Sequence, residues 1–361
     1  MHVQSYIFDS PPRDISSRPL KITAKRYTFQ NSAQEVHGLT LLITHCIGAH
    51  KEQWEPIIER LFILQQHRDR TQRIREAWSF DWQNHGDAAV LNQDILKDRP
   101  EGVSVFEWYP AITQFVRSPM MKGHRIVPMG HSAGAATVYV SVPSLTFTND
   151  FMLTYLLHAS MLTTRDIPIY ELPYAAMILI EPTIVTRELF ELQREDRMAS
   201  MDFAVAATSS RRDHWPSKEK ALEYFSKRLP WSIWDPRVLR LLVTYGLQDS
   251  PQGGVTLKCH RKQEAISYPD AEPHFEGAVQ LSRICHALPV HIIWGTRNDL
   301  VPEFIQDSLS DVSQGCIVAS VVKIKRAGHM VVQEQPDRLA HVISDMLNAI
   351  GSESSVERSK L

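Results

Sequence analysis

Charge of one sign, paired cysteines and long apolar runs are all missing from this 361-residue chain. Its 39 Lys and Arg nearly balance its 41 Asp and Glu, for a formal net charge of −2. That leaves no basic surface for nucleic acid and no polybasic membrane anchor. No apolar run reaches the ~18 residues needed to cross a bilayer, so no membrane span is predicted. The start, Met1-His2-Val3-Gln4-Ser5, lacks the basic region and apolar core of a secretory signal. Cys46, Cys259, Cys285 and Cys316 lie far apart with no C-x-x-C pair. Neither a metal site nor a disulfide framework is indicated, no cofactor is expected, and reduced thiols in an intracellular compartment fit the pattern. What remains is ordinary for a soluble globular enzyme: 43% hydrophobic and 22% charged residues.

The most informative stretch is Gly130-His131-Ser132-Ala133-Gly134. An apolar run, Ile126-Val127-Pro128-Met129, precedes it, and small apolar residues, Ala135 to Val140, follow. Strand, G-x-S-x-G and helix together describe a nucleophile elbow. The turn is tight, the glycines leave room where a Cβ would clash, and the serine hydroxyl is lifted above the sheet. The first N–H groups of the helix point to where an oxyanion would form.

Other segments supply candidate partners. Leu39 to His45 reads as a buried strand running into Cys46-Ile47-Gly48-Ala49-His50, and Lys51 to Leu61 as a helix. Ile47 and Ala133 are the expected oxyanion N–H donors, and Cys46 is expected to fill space rather than react. Leu20 to Tyr27 reads as a half-exposed edge strand and Ala77 to Asp81 as a further strand. His85, in Asn84-His85-Gly86-Asp87, is a tempting base but is expected to be structural. Ala175 to Ile180 and Val290 to Gly295 are core strands, the first ending in Glu181-Pro182. Ser320 to Ile324 is the last strand, followed by Ala327-Gly328-His329-Met330 and a closing helix over 336–349.

A serine hydroxyl needs a base within hydrogen-bond reach, and the base needs an orienting carboxylate. His329, at the end of the last strand, is the expected base. The common acid register, three residues after Gly295, holds Asn298, which carries no charge. Two acids remain open: Glu181, favoured because its strand ends at the same rim of the sheet as Ser132, and Asp299 as the alternative.

From Ser132 to Glu181 the chain is about twice as long as one helix and a loop require. The excess, at about 141–167, is either a genuine insertion or translated intron, Val140-Ser141 being codable by a donor site and Arg165 by an acceptor. Transcript sequencing decides between them. Between Arg194 and about residue 270, amphipathic segments with clustered tryptophans read as a helical cap whose aromatics line an acyl pocket and pack its own core. Arg211, Arg212 and Lys218 are expected to form a solvated basic face, the alternative being contact with a phosphate-bearing carrier. The chain closes on a polar segment and Ser359-Lys360-Leu361, the S-K-L peroxisomal address read by an import receptor.

These residues resemble the α/β-hydrolase superfamily over almost the whole chain. Thr44-His45, His50-Lys51-Glu52, Trp54, Asn84 to Asp87, Ile180-Glu181-Pro182, Arg211 to Ser217 and the terminal tripeptide are similar to a group of peroxisomal hydrolases of filamentous fungi. That group includes the hydrolases of Alternaria host-selective toxin biosynthesis and the acyl-CoA hydrolase of the mycophenolic acid pathway. The resemblance implies a mostly parallel central sheet flanked by helices. Its core would span 1–182 and 286–350, with a cap over 183–285 and a tail over 351–361. It also implies a triad acid after the sixth strand and a peroxisomal acyl-CoA thioesterase or esterase of toxin biosynthesis acting on a small-molecule acyl substrate. Lactone, ester or epoxide hydrolysis and a catalytically silent acyl-binding protein are the alternatives; a serine at the nucleophile position counts against an epoxide hydrolase. Departures from the group's pattern are Cys46 for glycine, Ala135 for glycine, glutamate for aspartate as acid, and the long stretch after Val140.

Overall fold

The computed structural model describes residues 1–15, 17–134, 161, 163, 164, 167–269 and 271–352. The predicted Ala135 to Val140 helix, most of the 141–167 stretch and the Ser359-Lys360-Leu361 tail lie outside the described residues.

Eight strands form the main sheet: β1 (His2–Asp9), β2 (Lys21–Thr28), β3 (Leu39–Thr44), β4 (Ile74–Phe80), β5 (Arg125–His131), β6 (Met177–Ile180), then β10 (Val290–Gly295) and β11 (Ser320–Ile324). Their spatial order is β1-β2-β4-β3-β5-β6-β10-β11. The β1–β2 and β2–β4 pairs are antiparallel and every later pair is parallel. Central strands such as β3, β6 and β10 are buried along their whole length. Their near-continuous apolar sequence follows from having both faces covered.

Alternate side chains feed two cores. Leu42, Trp78, Ile126, Leu179 and Ile292 pack under the helices Val105–Val116 and Glu272–Ile284. Leu41, Ile43, Val127, Ile178 and Ile293 pack against Glu55–Gln65 and Pro336–Ser352. A capping box fixes the start of Val105–Val116: Phe106 N–H donates to Ser104 Oγ at 3.0 Å, and Glu107 reaches back to Ser104 N–H.

The expected edge strand proves to be interior. β2 lies between β1 and β4, and β1 is the edge. The polar positions of β2 look exposed in sequence but are matched by charge. Lys25 pairs with Glu52 at 3.2 Å and Glu55 at 3.1 Å, and Arg26 pairs with Glu76.

Between β6 and β10 the chain leaves the sheet. It forms the helices Arg187–Leu192, Arg194–Ser210, Lys218–Phe225, Pro236–Tyr245 and Arg261–Ala265. A small antiparallel sheet accompanies them, made of β7 (His214–Trp215), β8 (Leu247–Asp249) and β9 (Val255–Leu257). Trp215, Phe225, Trp234, Val238 and Leu242 form a core of their own here. Of the two roles expected of the clustered tryptophans, Trp215 and Trp234 take that of packing this unit's own core, and no tryptophan lines the cavity over Ser132 among the described residues.

A buried ion pair ties the loops above β3 and β4 to each other. Lys51, 1% exposed, donates from Nζ to Asp81 Oδ2 at 2.7 Å and from its backbone N–H to Asp81 Oδ1 at 2.9 Å. Thr23 Oγ1 and Asp87 N–H also donate to Asp81. Gly86 is obligatory beside them, because a Cβ there would stand 2.3 Å from Asp81 Oδ2. Burial alone would lower the Lys51 pKa, but Asp81, Glu52 and Asp87 outweigh it and raise it. Lys51→Met leaves Asp81 charged and uncompensated, and is expected to cost about 3–5 kcal/mol of stability in urea denaturation.

Candidate active site

Ser132 closes β5 in a left-handed backbone conformation, φ +54°. Glu181 closes the neighbouring β6 in the same region, φ +47°. Such angles cost non-glycine residues on the order of 1 kcal/mol or more. Here they turn both side chains off the strand ends toward one point above the sheet. His329 arrives there from the loop after β11.

The three side chains form a hydrogen-bonded line. Ser132 Oγ donates to His329 Nε2 at 2.7 Å, and His329 Nδ1–H donates to Glu181 Oε2 at 3.2 Å. The other carboxylate oxygen, Glu181 Oε1, accepts the Gly295 N–H of β10. All three residues are buried, Glu181 most deeply at 2% exposure. Both carboxylate oxygens are thus committed, one to the imidazole and one to the main chain of the adjacent strand.

Asp299 stands close by with different partners. Its Oδ1 accepts the backbone N–H of His329 at 2.8 Å, and Oδ2 faces Arg297 at 3.3 Å. It holds the main chain of the histidine loop and makes no hydrogen bond to the ring. Gly328 permits this approach, since a Cβ would lie 2.1 Å from Asp299 Oδ2. Asn298 accepts from Gln306 Nε2 at 3.0 Å, turned to the helix Glu303–Ser308. Two features had no signal in the sequence. His131 Nε2–H donates to the His329 carbonyl at 2.7 Å, and Glu334 takes both the Gly328 N–H and Arg297. Single histidines and glutamates carry no signature until the loops are brought together.

The Cys46–His50 loop is held by two neutral imidazoles. His45 Nε2 accepts the Trp82 N–H at 3.1 Å, so its proton is on Nδ1 and is donated to the Cys46 carbonyl. His85 Nε2 accepts the Gly48 N–H at 3.0 Å, and its Nδ1–H is donated to Asn84 Oδ1. Each ring must accept from a backbone N–H, so neither can carry a second proton. Burial pushes the His45 pKa down to about 4 and that of His85 well below its usual value. Among the described residues the Ile47 N–H has no hydrogen-bond acceptor. Cys46 is buried beside Gln333, and burial pushes its thiol up to about 12. It is not a nucleophile at neutral pH.

Above Ser132 lies a cavity of about 390 Å³. Its lining includes Ile47, Ser132 and His329, with Phe190, Met201 and Ala204 from the inserted segment and Leu300, Val301 and Met330 from the loops after β10 and β11. Of the expected basic face, Arg211 is absent. It is largely buried and paired through both guanidinium nitrogens with the buried Glu264.

Residues 41–342 match the model of the alpha/beta hydrolase family. The chain belongs to this family. Among solved structures, this hydrolase resembles the peroxisomal α/β-hydrolase Lpx1 of Saccharomyces cerevisiae, with a TM-score of 0.73 at 17% identity over 100% of this chain and 92% of that one. It resembles E-2-(acetamidomethylene)succinate hydrolase with a TM-score of 0.61 at 16% identity, over 91% and 96% of the two chains. For the thioesterase domain of the curacin biosynthetic pathway the values are 0.60 and 13%, over 95% and 99%. These likenesses are of fold. No curated protein matches the chain by sequence.

The buried histidines make the hydrolase sensitive to acid. The pKa of His131 is pushed down to about 3 and that of His274 to about 4, burial being the first cause in both. Between the unfolded value of ~6.5 and these lower values, the unfolded chain holds protons the folded one refuses. Stability is therefore complete above pH ~6.5 and falls as pH drops below it, by up to about 1.4 kcal/mol per unit for each such histidine. Thermal midpoints recorded from neutral pH down to about pH 5 should decline; a flat profile contradicts this account.

Proposed function

We propose that this protein is a serine hydrolase that cleaves an acyl-CoA thioester or a related ester. The observation that carries the reading is the unbroken hydrogen-bonded line from Ser132 through His329 to Glu181, opening into an apolar cavity. In this mechanism His329 Nε2 takes the Ser132 proton as Oγ attacks the acyl carbon. Glu181 stabilises the imidazolium and holds its Nδ1 tautomer. The Ile47 and Ala133 N–H groups stabilise the oxyanion. The imidazolium then protonates the leaving thiol or alcohol, and His329 activates water to release the acid.

The 183–285 segment acts as the cap over the 1–182 and 286–350 core. It supplies Phe190, Met201 and Ala204 to the cavity wall, and the apolar wall suits an acyl chain. The Ser359-Lys360-Leu361 terminus supports delivery to the peroxisome through the import receptor. The sequence resemblance to fungal toxin-pathway hydrolases supports a place in secondary-metabolite biosynthesis.

Acyl-CoA thioesters and esters assayed with variants test this reading. Ser132→Ala should abolish turnover and labelling by a fluorophosphonate. Glu181→Gln should lower kcat by up to ~10⁴, because the imidazole loses its orienting charge. Asp299→Asn should lower it far less. If Asp299→Asn abolishes turnover while Glu181→Gln does not, the acid is misassigned. An unlabelled Ser132 in the wild type would favour a silent acyl-binding protein.

A further inference from the structure

The cavity lining is not wholly apolar. Arg197, on the helix Arg194–Ser210, lines it. Among the described residues no carboxylate pairs with this guanidinium, whereas Arg187, Arg211 and Arg237 each hold one. Burial pushes the Arg197 pKa down, against the opposing charge of Asp196. Arg197 is half-buried in the cavity lining and has no carboxylate partner among the described residues.

His274 supplies a second, independent observation. It lines the same cavity and is 6% exposed. Its Nδ1–H donates to the Thr183 carbonyl, which leaves Nε2 as an acceptor. That nitrogen is buried and has no hydrogen-bond partner. Arg197 is near enough for its charge to help hold the ring neutral. A buried lone pair and a guanidinium with no carboxylate partner, near each other in the lining of one cavity, are left for the ligand to satisfy.

We propose that this part of the lining is a carboxylate subsite, so that the acyl chain of the substrate ends in a carboxylate held by Arg197. Arg suits the task because its planar fork matches both carboxylate oxygens. A hydroxyl or N–H next to that carboxylate donates to His274 Nε2. The proposal rests on Ser132 being the nucleophile of a hydrolase and narrows the substrate class to half-esters or half-thioesters of dicarboxylic acids.

The test compares p-nitrophenyl monoesters of adipic, suberic and sebacic acids with p-nitrophenyl hexanoate, octanoate and decanoate. At the chain length that spans the cavity, the acid-ended ester should exceed its neutral partner in kcat/KM by roughly tenfold or more. Arg197→Gln should erase that preference, bringing kcat/KM for each acid-ended ester to within roughly twofold of its neutral partner. Equal rates at every length in the wild type, or a preference that survives Arg197→Gln, overturns the subsite. Calorimetric binding of the corresponding monoethyl esters to Ser132→Ala reads the subsite without turnover. Affinity that needs both the ligand carboxylate and Arg197 supports it, and its absence overturns it. Carboxylate-dependent binding with no turnover by the wild type would instead sink the hydrolase reading and leave the subsite standing.

Discussion

The geometry above the sheet depends on a charge that cannot leave. Lys51 and Asp81 are buried on adjacent loops, and each is held by more than its partner: Asp81 by Thr23 and two backbone N–H groups, Lys51 by Glu52 and Asp87 as well. A desolvated pair of this kind adds little net stability by itself, but breaking one half of it is costly. Its effect is to make the relative position of the two loops nearly invariant. Those loops carry His45 and His85, whose rings hold the Cys46–Gly48 backbone. Lys258, from beyond β9, reaches Asp87 and brings the inserted segment into the same network.

A gradient of polarity follows. Deepest are neutral imidazoles locked by backbone donors, then the Ser132–His329–Glu181 line, then the apolar cavity. Glu181 spends one oxygen on Gly295 N–H and so cannot swing away from the ring. Asp299 and His131 grip the main chain of His329 at its N–H and its carbonyl. The imidazole is thus fixed through its backbone at two points and through its side chain at two more.

Much of this was legible in the sequence where the determinant is local. A strand followed by G-x-S-x-G can hardly be read as anything but a tight turn lifting Ser132. The neutral Asn298 removed the usual acid position, and the end of the Ala175 to Ile180 strand at the same rim as Ser132 favoured Glu181, with Asp299 still open. The remainder depended on distant pairing. Arg211 reads as a surface cation until Glu264 is found opposite it. Leu20 to Tyr27 reads as an edge until Lys25 and Arg26 are matched by Glu52, Glu55 and Glu76. The tryptophans of the inserted segment look like pocket lining because composition reports burial but not which core is being filled. Hydrogen bonds from His131 and His45 to main-chain carbonyls leave no sequence pattern at all.

The carboxylate that meets His329 comes from β6, and this has a consequence. With that contact made elsewhere, the turn after β10 has no proton to manage. Asp299, Leu300 and Val301 on that turn instead face the cavity. Substitutions at Leu300 and Val301 would change the cavity wall without touching the hydrogen-bonded line, whereas Asp299 also holds the His329 N–H. The shape of the cavity and the Ser132–His329–Glu181 line are therefore set largely by different loops, and Asp299 is the residue that belongs to both.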